Sequence, residues 1–154
     1  MPEPRIIRFY SVTDEYGELS NFALYPIVVG KQRWKTSEHY FQAHKFENPK
    51  DRAAVRAAKT PMEAARMGRD RKRKLRRDWE SVKVDVMRVA VRAKFRQHDD
   101  LAELLIGTGD ARLVEHTDRD SFWGDGGDGR GKNTLGRILM VVRAELAAER
   151  ERST

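Results

Sequence analysis

Five glycines, at positions 124, 126, 127, 129 and 131, fall within the segment Ser121–Lys132, and no regular element tolerates that density. Each glycine costs a helix about 1 kcal/mol relative to alanine, and strands are depleted in glycine because it offers no side chain to pack. The segment is therefore a loop that separates one last element from everything before it. After Asn133 or Thr134, Leu135, Ile138, Leu139, Val142 and Leu146 recur at three- and four-residue steps, which predicts a final amphipathic helix. The charged tail from Ala147 reads as frayed.

Ahead of the loop the pattern is mostly helical. Arg5–Tyr10 is rich in β-formers and predicts a first strand. Ser11–Asn21 has loop chemistry, and Pro26–Trp34 reads as a hairpin turning near Gly30. Thr36 or Ser37 caps a helix that carries Glu38. A second helix covers Asp51–Lys59. Thr60-Pro61-Met62-Glu63 starts a third, with threonine as cap, proline in the first position and glutamate completing a capping box; Gly68 is expected to end it. Asp78 caps the longest helix, to about Gln97, with Trp79, Val82, Val86, Val89, Ala90 and Ala93 on its stripe. A shorter helix from Asp99 or Asp100 buries Leu101, Leu104 and Leu105 and stops at Gly107 and Gly109, and Leu113–His116 reads as a strand. The fold class expected is α+β: one helix-dominated domain over residues 1–154, its core about 5–147, with a small β-sheet.

The chain has no cysteine, which removes disulfides, thiolate metal sites and cysteine nucleophiles together. No apolar run reaches the roughly 18 residues of a membrane span, and Met1–Arg5 lacks the apolar core of a signal peptide, so a cytoplasmic protein with no membrane partner is expected. The formal net charge is +7, concentrated in Arg66, Arg69, Arg71, Lys72, Arg73, Lys74, Arg76 and Arg77. Such a run suits a phosphorylated metabolite or nucleic acid, and equally a solvated basic face.

Three segments hold residues fit for chemistry. Trp34–Phe46 places a carboxylate, an amide, two lysines and two histidines among aromatic rings. On a helix, Glu38, Gln42 and Lys45 stand at i, i+4 and i+7 on one stripe, spanning about 10 Å. A carboxylate drawn toward ionisation by a helix start and away from it by burial suits proton transfer or stabilisation of an oxocarbenium ion; it also suits plain capping. The glycine loop lets backbone approach a ligand at Gly124, offers Asp125 and Asp128 as carboxylates and the Trp123 ring as a stacking face, and leads into a helix start suited to phosphate; it equally suits a surface Ω-loop. Asn21 and Phe22, in Gly17–Phe22, can orient a sugar hydroxyl and stack a base, or merely form a turn. His39, His44, His98 and His116 show no metal-ligand spacing, so no metal is expected, and no GxSxG elbow supports a serine hydrolase.

Gly17-Glu-Leu-Ser-Asn-Phe22, Trp34–Phe46, Ala65-Arg-Met-Gly-Arg69, Asp78-Trp-Glu-Ser-Val-Lys83, Leu113-Val-Glu-His-Thr117, Phe122-Trp-Gly-Asp-Gly-Gly127 and Gly131-Lys-Asn-Thr-Leu-Gly136 follow one another in this order. Together they resemble the NADAR, or YbiA-like, family, and especially its N-glycosidases of riboflavin-biosynthesis intermediates, from about Arg8 to Leu146. The resemblance implies hydrolysis of the C1–N bond of phosphoribosylamino-pyrimidines, with release of ribose 5-phosphate and without a cofactor. It implies Glu38 as a catalytic residue and Trp123 and Asp125 as active-site residues. His44 departs from the glutamine that relatives often carry. On chemical grounds Glu38 or Asp125 stabilises the cationic sugar or protonates the leaving amine, Lys45 is an alternative nucleophile at C1, Gln42 lines the same face, and Arg69 suits the 5′-phosphate. Two other readings fit the resemblance: removal of ADP-ribose from guanine in nucleic acid, and a non-catalytic module binding ADP-ribose or a nucleotide.

Overall fold

A computed structural model describes residues 3–153; the reading of the extreme N-terminus rests in part on Met1 and Pro2, which with Thr154 lie outside the described residues. The elements in chain order are β1 (Ile6–Phe9), a 3-10 turn (Gly17–Leu19), β2 (Ile27–Val29), β3 (Gln32–Trp34), α1 (Ser37–Ala43), α2 (Pro49–Arg56), α3 (Pro61–Arg69), α4 (Trp79–Gln97), α5 (Asp99–Gly107), β4 (Arg112–Glu115) and α6 (Thr134–Ser153). Among the described residues, six helices and two short two-stranded sheets make the fold α+β, as its pattern predicts. It divides into two compact units: the continuous segment Asn21–Lys94, and the residues up to Ser20 together with those from Phe95 onward.

In the continuous unit, β2 and β3 pair antiparallel about Gly30 and Lys31, both at positive φ (60° and 68°). That is the geometry of a type I′ turn, whose twist matches the strands it joins. Thr36 caps α1 by accepting the His39 backbone N–H at 3.1 Å. Asn48 caps α2 ahead of Pro49, and the Lys35 ammonium closes the other end of that helix on the carbonyls of Ala57 (3.3 Å) and Ala58 (2.8 Å). Thr60 caps α3 as its sequence predicts, but the Glu63 carboxylate reaches past it to the Lys59 N–H at 3.0 Å. Gly68 does not end α3, which continues through Arg69 to a cap at Asp70. The three helices and the hairpin close on Ile27, Trp34, Tyr40, Ala43, Phe46, Val55, Ala58, Ala64 and Ala90.

The stripe of α4 is rotated from the one its valines suggest. Trp79, Met87, Ala90, Val91, Lys94 and Phe95 are buried, Val82, Val86 and Ala93 are half-buried, and Val89 is exposed.

In the discontinuous unit, β1 runs parallel to β4 in the register Ile6↔Arg112 to Phe9↔Glu115. In α5, Leu101 and Leu105 are buried and Leu104 only half so. The predicted face of α6 is buried, and the helix persists through the charged tail to Ser153; at 20 residues it is longer than α4 at 19. Asn133, at φ 52°, fastens α6 to β4: its side chain accepts the Glu115 N–H at 3.0 Å and donates to the Leu113 carbonyl at 2.9 Å. A side chain at Gly136 would strike that same carbonyl, so the glycine lets α6 lie directly on the strand. No helix among the described residues is long and apolar enough to cross a membrane.

One packing residue makes stability depend on pH. His39 is fully buried, with Nε2 3.0 Å from the Ala58 carbonyl and Nδ1 2.8 Å from the Thr36 hydroxyl. The carbonyl can only accept, so Nε2 carries the proton and Nδ1 takes the hydroxyl hydrogen. Burial holds the His39 pKa below 6.5, aided by Lys35 and opposed by the Ala58 bond and Glu63; burial lowers His44 as well. The unfolded chain therefore binds these protons first as pH falls. The stabilisation is whole above the unfolded histidine value and is lost below it, toward the depressed folded value. The melting temperature should fall between about pH 7.5 and about pH 5.5, and His39→Gln should flatten that slope; an unchanged slope in the variant would show that His39 is not its source.

Candidate active site

Six of the nine residues singled out by sequence lie in the continuous unit: Asn21, Phe22, Glu38, Gln42, Lys45 and Arg69. Trp123, Gly124 and Asp125 lie in the other.

Glu38 sits in the first turn of α1 and is buried. The helical spacing places Gln42 one turn on, and its Nε2 donates to Glu38 Oε2 at 2.7 Å in a buried, charge-assisted bond. Asn21 anchors the same helix start. Its carbonyl accepts the Glu38 N–H at 3.3 Å, its Oδ1 accepts from the Ser37 hydroxyl at 2.9 Å, and its Nδ2 lies 3.2 Å from Met87 Sδ. The Asn21 amide thus ties α1 to α4, a use that its turn-like sequence did not announce. Phe22, beside it, is half-buried.

Lys45 is not on the helix. α1 ends at Ala43, and the Lys45 N–H closes a tighter turn onto the Gln42 carbonyl at 3.2 Å. The ammonium nevertheless shares its surroundings with the carboxylate. It stands 5.8 Å from the centroid of the Phe41 ring, which packs on Trp79 at 5.1 Å. Burial lowers the Lys45 pKa from 10.5, Glu38 raises it, and Arg71, Arg69 and Lys83 lower it further. An amine whose pKa is lowered by burial gives up its proton more readily and is then a competent nucleophile.

The basic run divides into structural and available charges. Arg73 pairs with Asp51 at 2.7 Å, and Arg76 forks onto Asp78 at 2.6 and 3.0 Å. The guanidiniums of Arg69 and Arg71, whose charge reaches Lys45, carry no ion pair or hydrogen bond among the described residues. A planar guanidinium whose charge reaches that amine suits a sugar phosphate.

The glycine loop is ordered from within. Asp125 is buried, and both its oxygens are engaged: Oδ1 accepts the N–H groups of Thr117 (3.1 Å) and Gly127 (2.9 Å), and Oδ2 accepts His116 Nδ1 at 2.8 Å. Burial works to raise its pKa, but the His116 bond and the two backbone donors prevail and hold it below its ordinary value. So held, Asp125 is a stable anion that keeps the loop folded and leaves the exposed His116 with its Nε2 directed away from the pair. Gly124 is closed in: a Cβ would lie 2.8 Å from Thr117 Cγ2 and 2.9 Å from the carbonyls of Asp120 and Glu115. Trp123, half-buried, donates its backbone N–H to Asp120 Oδ1 at 2.8 Å and sets its ring edge-on to Phe122 at 4.8 Å. The pairing of His116 with Asp125 had a faint sequence signal, two titratable residues flanking one loop, which the helical stripe of Glu38 overshadowed.

Comparison with known proteins identifies the family. The model of the NADAR domain matches residues 8–147. The N-glycosidase YbiA of Escherichia coli is 58% identical over 145 residues, 94% of this chain and 91% of that protein. Its NMR structure superposes with a TM-score of 0.89 at 56% identity, covering 97% of this chain and 89% of that one. A riboflavin biosynthesis protein of Vibrio vulnificus is 46% identical over 140 residues, 91% of this chain but 38% of the longer relative. The chain belongs to the NADAR domain family and is an enzyme of the N-glycosidase class.

Proposed function

We propose that the chain hydrolyses the C1–N bond of the phosphoribosylamino-pyrimidine intermediates of riboflavin biosynthesis and releases ribose 5-phosphate. The observation that carries this reading is the grouping in the continuous unit: a buried carboxylate held by an amide, a lysine with a lowered pKa, and the unpaired Arg69 and Arg71 whose charge reaches it. The relative named for riboflavin biosynthesis supports the choice of base.

As the C1–N bond lengthens, positive charge grows on the ribose, and the Glu38 carboxylate stabilises it. Water adds to C1, its proton passes to solvent, and the departing nitrogen takes a proton to leave as a neutral aminopyrimidine. The depressed pKa of Lys45 favours a second route. The ring-opened glycosylamine presents C1 as an imine; the Lys45 amine adds to it and expels the aminopyrimidine; water then hydrolyses the lysine imine and frees the sugar. Arg69 and Arg71 bind the 5′-phosphate in both routes.

Incubation with the two early pyrimidine intermediates, followed by mass spectrometry, tests the reading. Equal amounts of ribose 5-phosphate and aminopyrimidine are expected. Inert intermediates, with turnover of an oligonucleotide carrying ADP-ribosylated guanine, would transfer the assignment to nucleic acid, and binding should then weaken steeply with salt.

A further inference from the structure

Gln42 holds Glu38 at an energetic disadvantage to itself. Its Nε2 donates to the carboxylate, but its Oε1 is buried with no hydrogen-bond partner among the described residues. An unpaired buried carbonyl is an unfavourable thing for a small domain to keep, and the amide stays in this orientation because the alternative would set its oxygen against a carboxylate. The oxygen lies on Gly68 of α3. A Cβ built on Gly68 would collide with Gln42 Oε1 and come within 2.8 Å of its Cδ and 3.3 Å of its Cβ. Gly68 is itself buried in the last turn of α3 with an ordinary backbone, where nearly every residue but proline has a better helix propensity than glycine. Neither capping nor backbone conformation accounts for it; the volume taken by the Gln42 carboxamide does.

We infer that Gly68 and Gln42 are positioning residues for the N-glycosidase reaction: the missing side chain on α3 leaves the space in which the amide is clamped, and the clamped amide fixes the Glu38 carboxylate in the orientation that meets the sugar. The inference rests on the reading of Glu38 as the catalytic carboxylate. Gln42 then acts through its bond to Glu38.

The test is a cycle of Gly68→Ala, Gln42→Ala and the double variant, with Glu38→Gln alongside, each assayed for kcat and KM on the phosphoribosylamino-pyrimidine and for thermal unfolding. Gly68→Ala should lower kcat by on the order of 10²-fold, the loss that accompanies a displacement of about 1 Å at a reacting group, with KM little changed. Gln42→Ala should lose a similar amount. The double variant should match Gln42→Ala alone, because without the amide the added methyl has nothing to displace. Where Gly68→Ala alone fails to fold, Gln42→Ala and the double variant carry the comparison. Equal kcat values support the inference, and a further loss in the double variant overturns it. Full activity in Gly68→Ala beside an inactive Glu38→Gln overturns it alone, whereas an active Glu38→Gln overturns the reading of Glu38 and this inference with it.

Discussion

Glu38→Gln should reduce kcat/KM by on the order of 10³-fold, about 4 kcal/mol of transition-state stabilisation, with the protein still folded. The substitution keeps the volume of the side chain and leaves an oxygen to accept the 2.7 Å bond from Gln42. What it removes is the negative charge opposite a sugar that becomes cationic only as the bond breaks. The loss should therefore fall on kcat, with KM nearly unchanged, as for any interaction made chiefly in the transition state. A variant within about threefold of the parent, folded by thermal melting, would remove Glu38 from the mechanism.

Lys45→Arg should separate a nucleophile from a mere charge. Arginine preserves the cation near Glu38 and the Phe41 ring but cannot lose its proton under working conditions. If Lys45 attacks C1, the variant loses on the order of 10³-fold in kcat, and borohydride traps a sugar adduct on the parent protein but not on the variant. The pH profile follows with a definite sign. The free amine is the reactive form, and burial lowers its pKa from 10.5, so the rate should climb with pH through a midpoint below that figure. Retention of most activity by Lys45→Arg, with no trapped adduct, would leave Lys45 as an electrostatic partner and Glu38 as the sole agent at C1.

What the sequence disclosed was local. The caps at Thr36 and Thr60, the turn at Gly30 and the stripe of α6 are written within a few neighbouring residues, and each appears in the fold where the pattern puts it. The Glu38–Gln42 contact was legible for the same reason, being one helical turn. Relations set by distant segments were hidden. Gly68 reads as a helix stop because glycine commonly is one, and its neighbour Gln42 is not visible in the pattern around it. Lys45 reads as a helical residue because the arithmetic of 3.6 does not reveal that α1 closes at Ala43. Asp125 reads as a free carboxylate until His116 and the amides of Thr117 and Gly127 are seen to engage it. Val89 follows the periodicity of α4 and is still exposed, because the face a helix buries is chosen by what packs against it.

The pairing of Ile6 with Arg112 also orders events in time. A ribosome delivers the first strand early and its mate late; at about 5 to 20 residues per second the delay is roughly 5 to 20 seconds. Throughout that interval Asn21–Lys94 is being completed and can close its own core, while the apolar side chains of Ile7 and Phe9 await the strand they pair with. Closing so long a loop is slow compared with local helix formation, so β1 and β4 join after the helices between them have formed. A ribosome halted before Arg112 would therefore hold β1 without its mate.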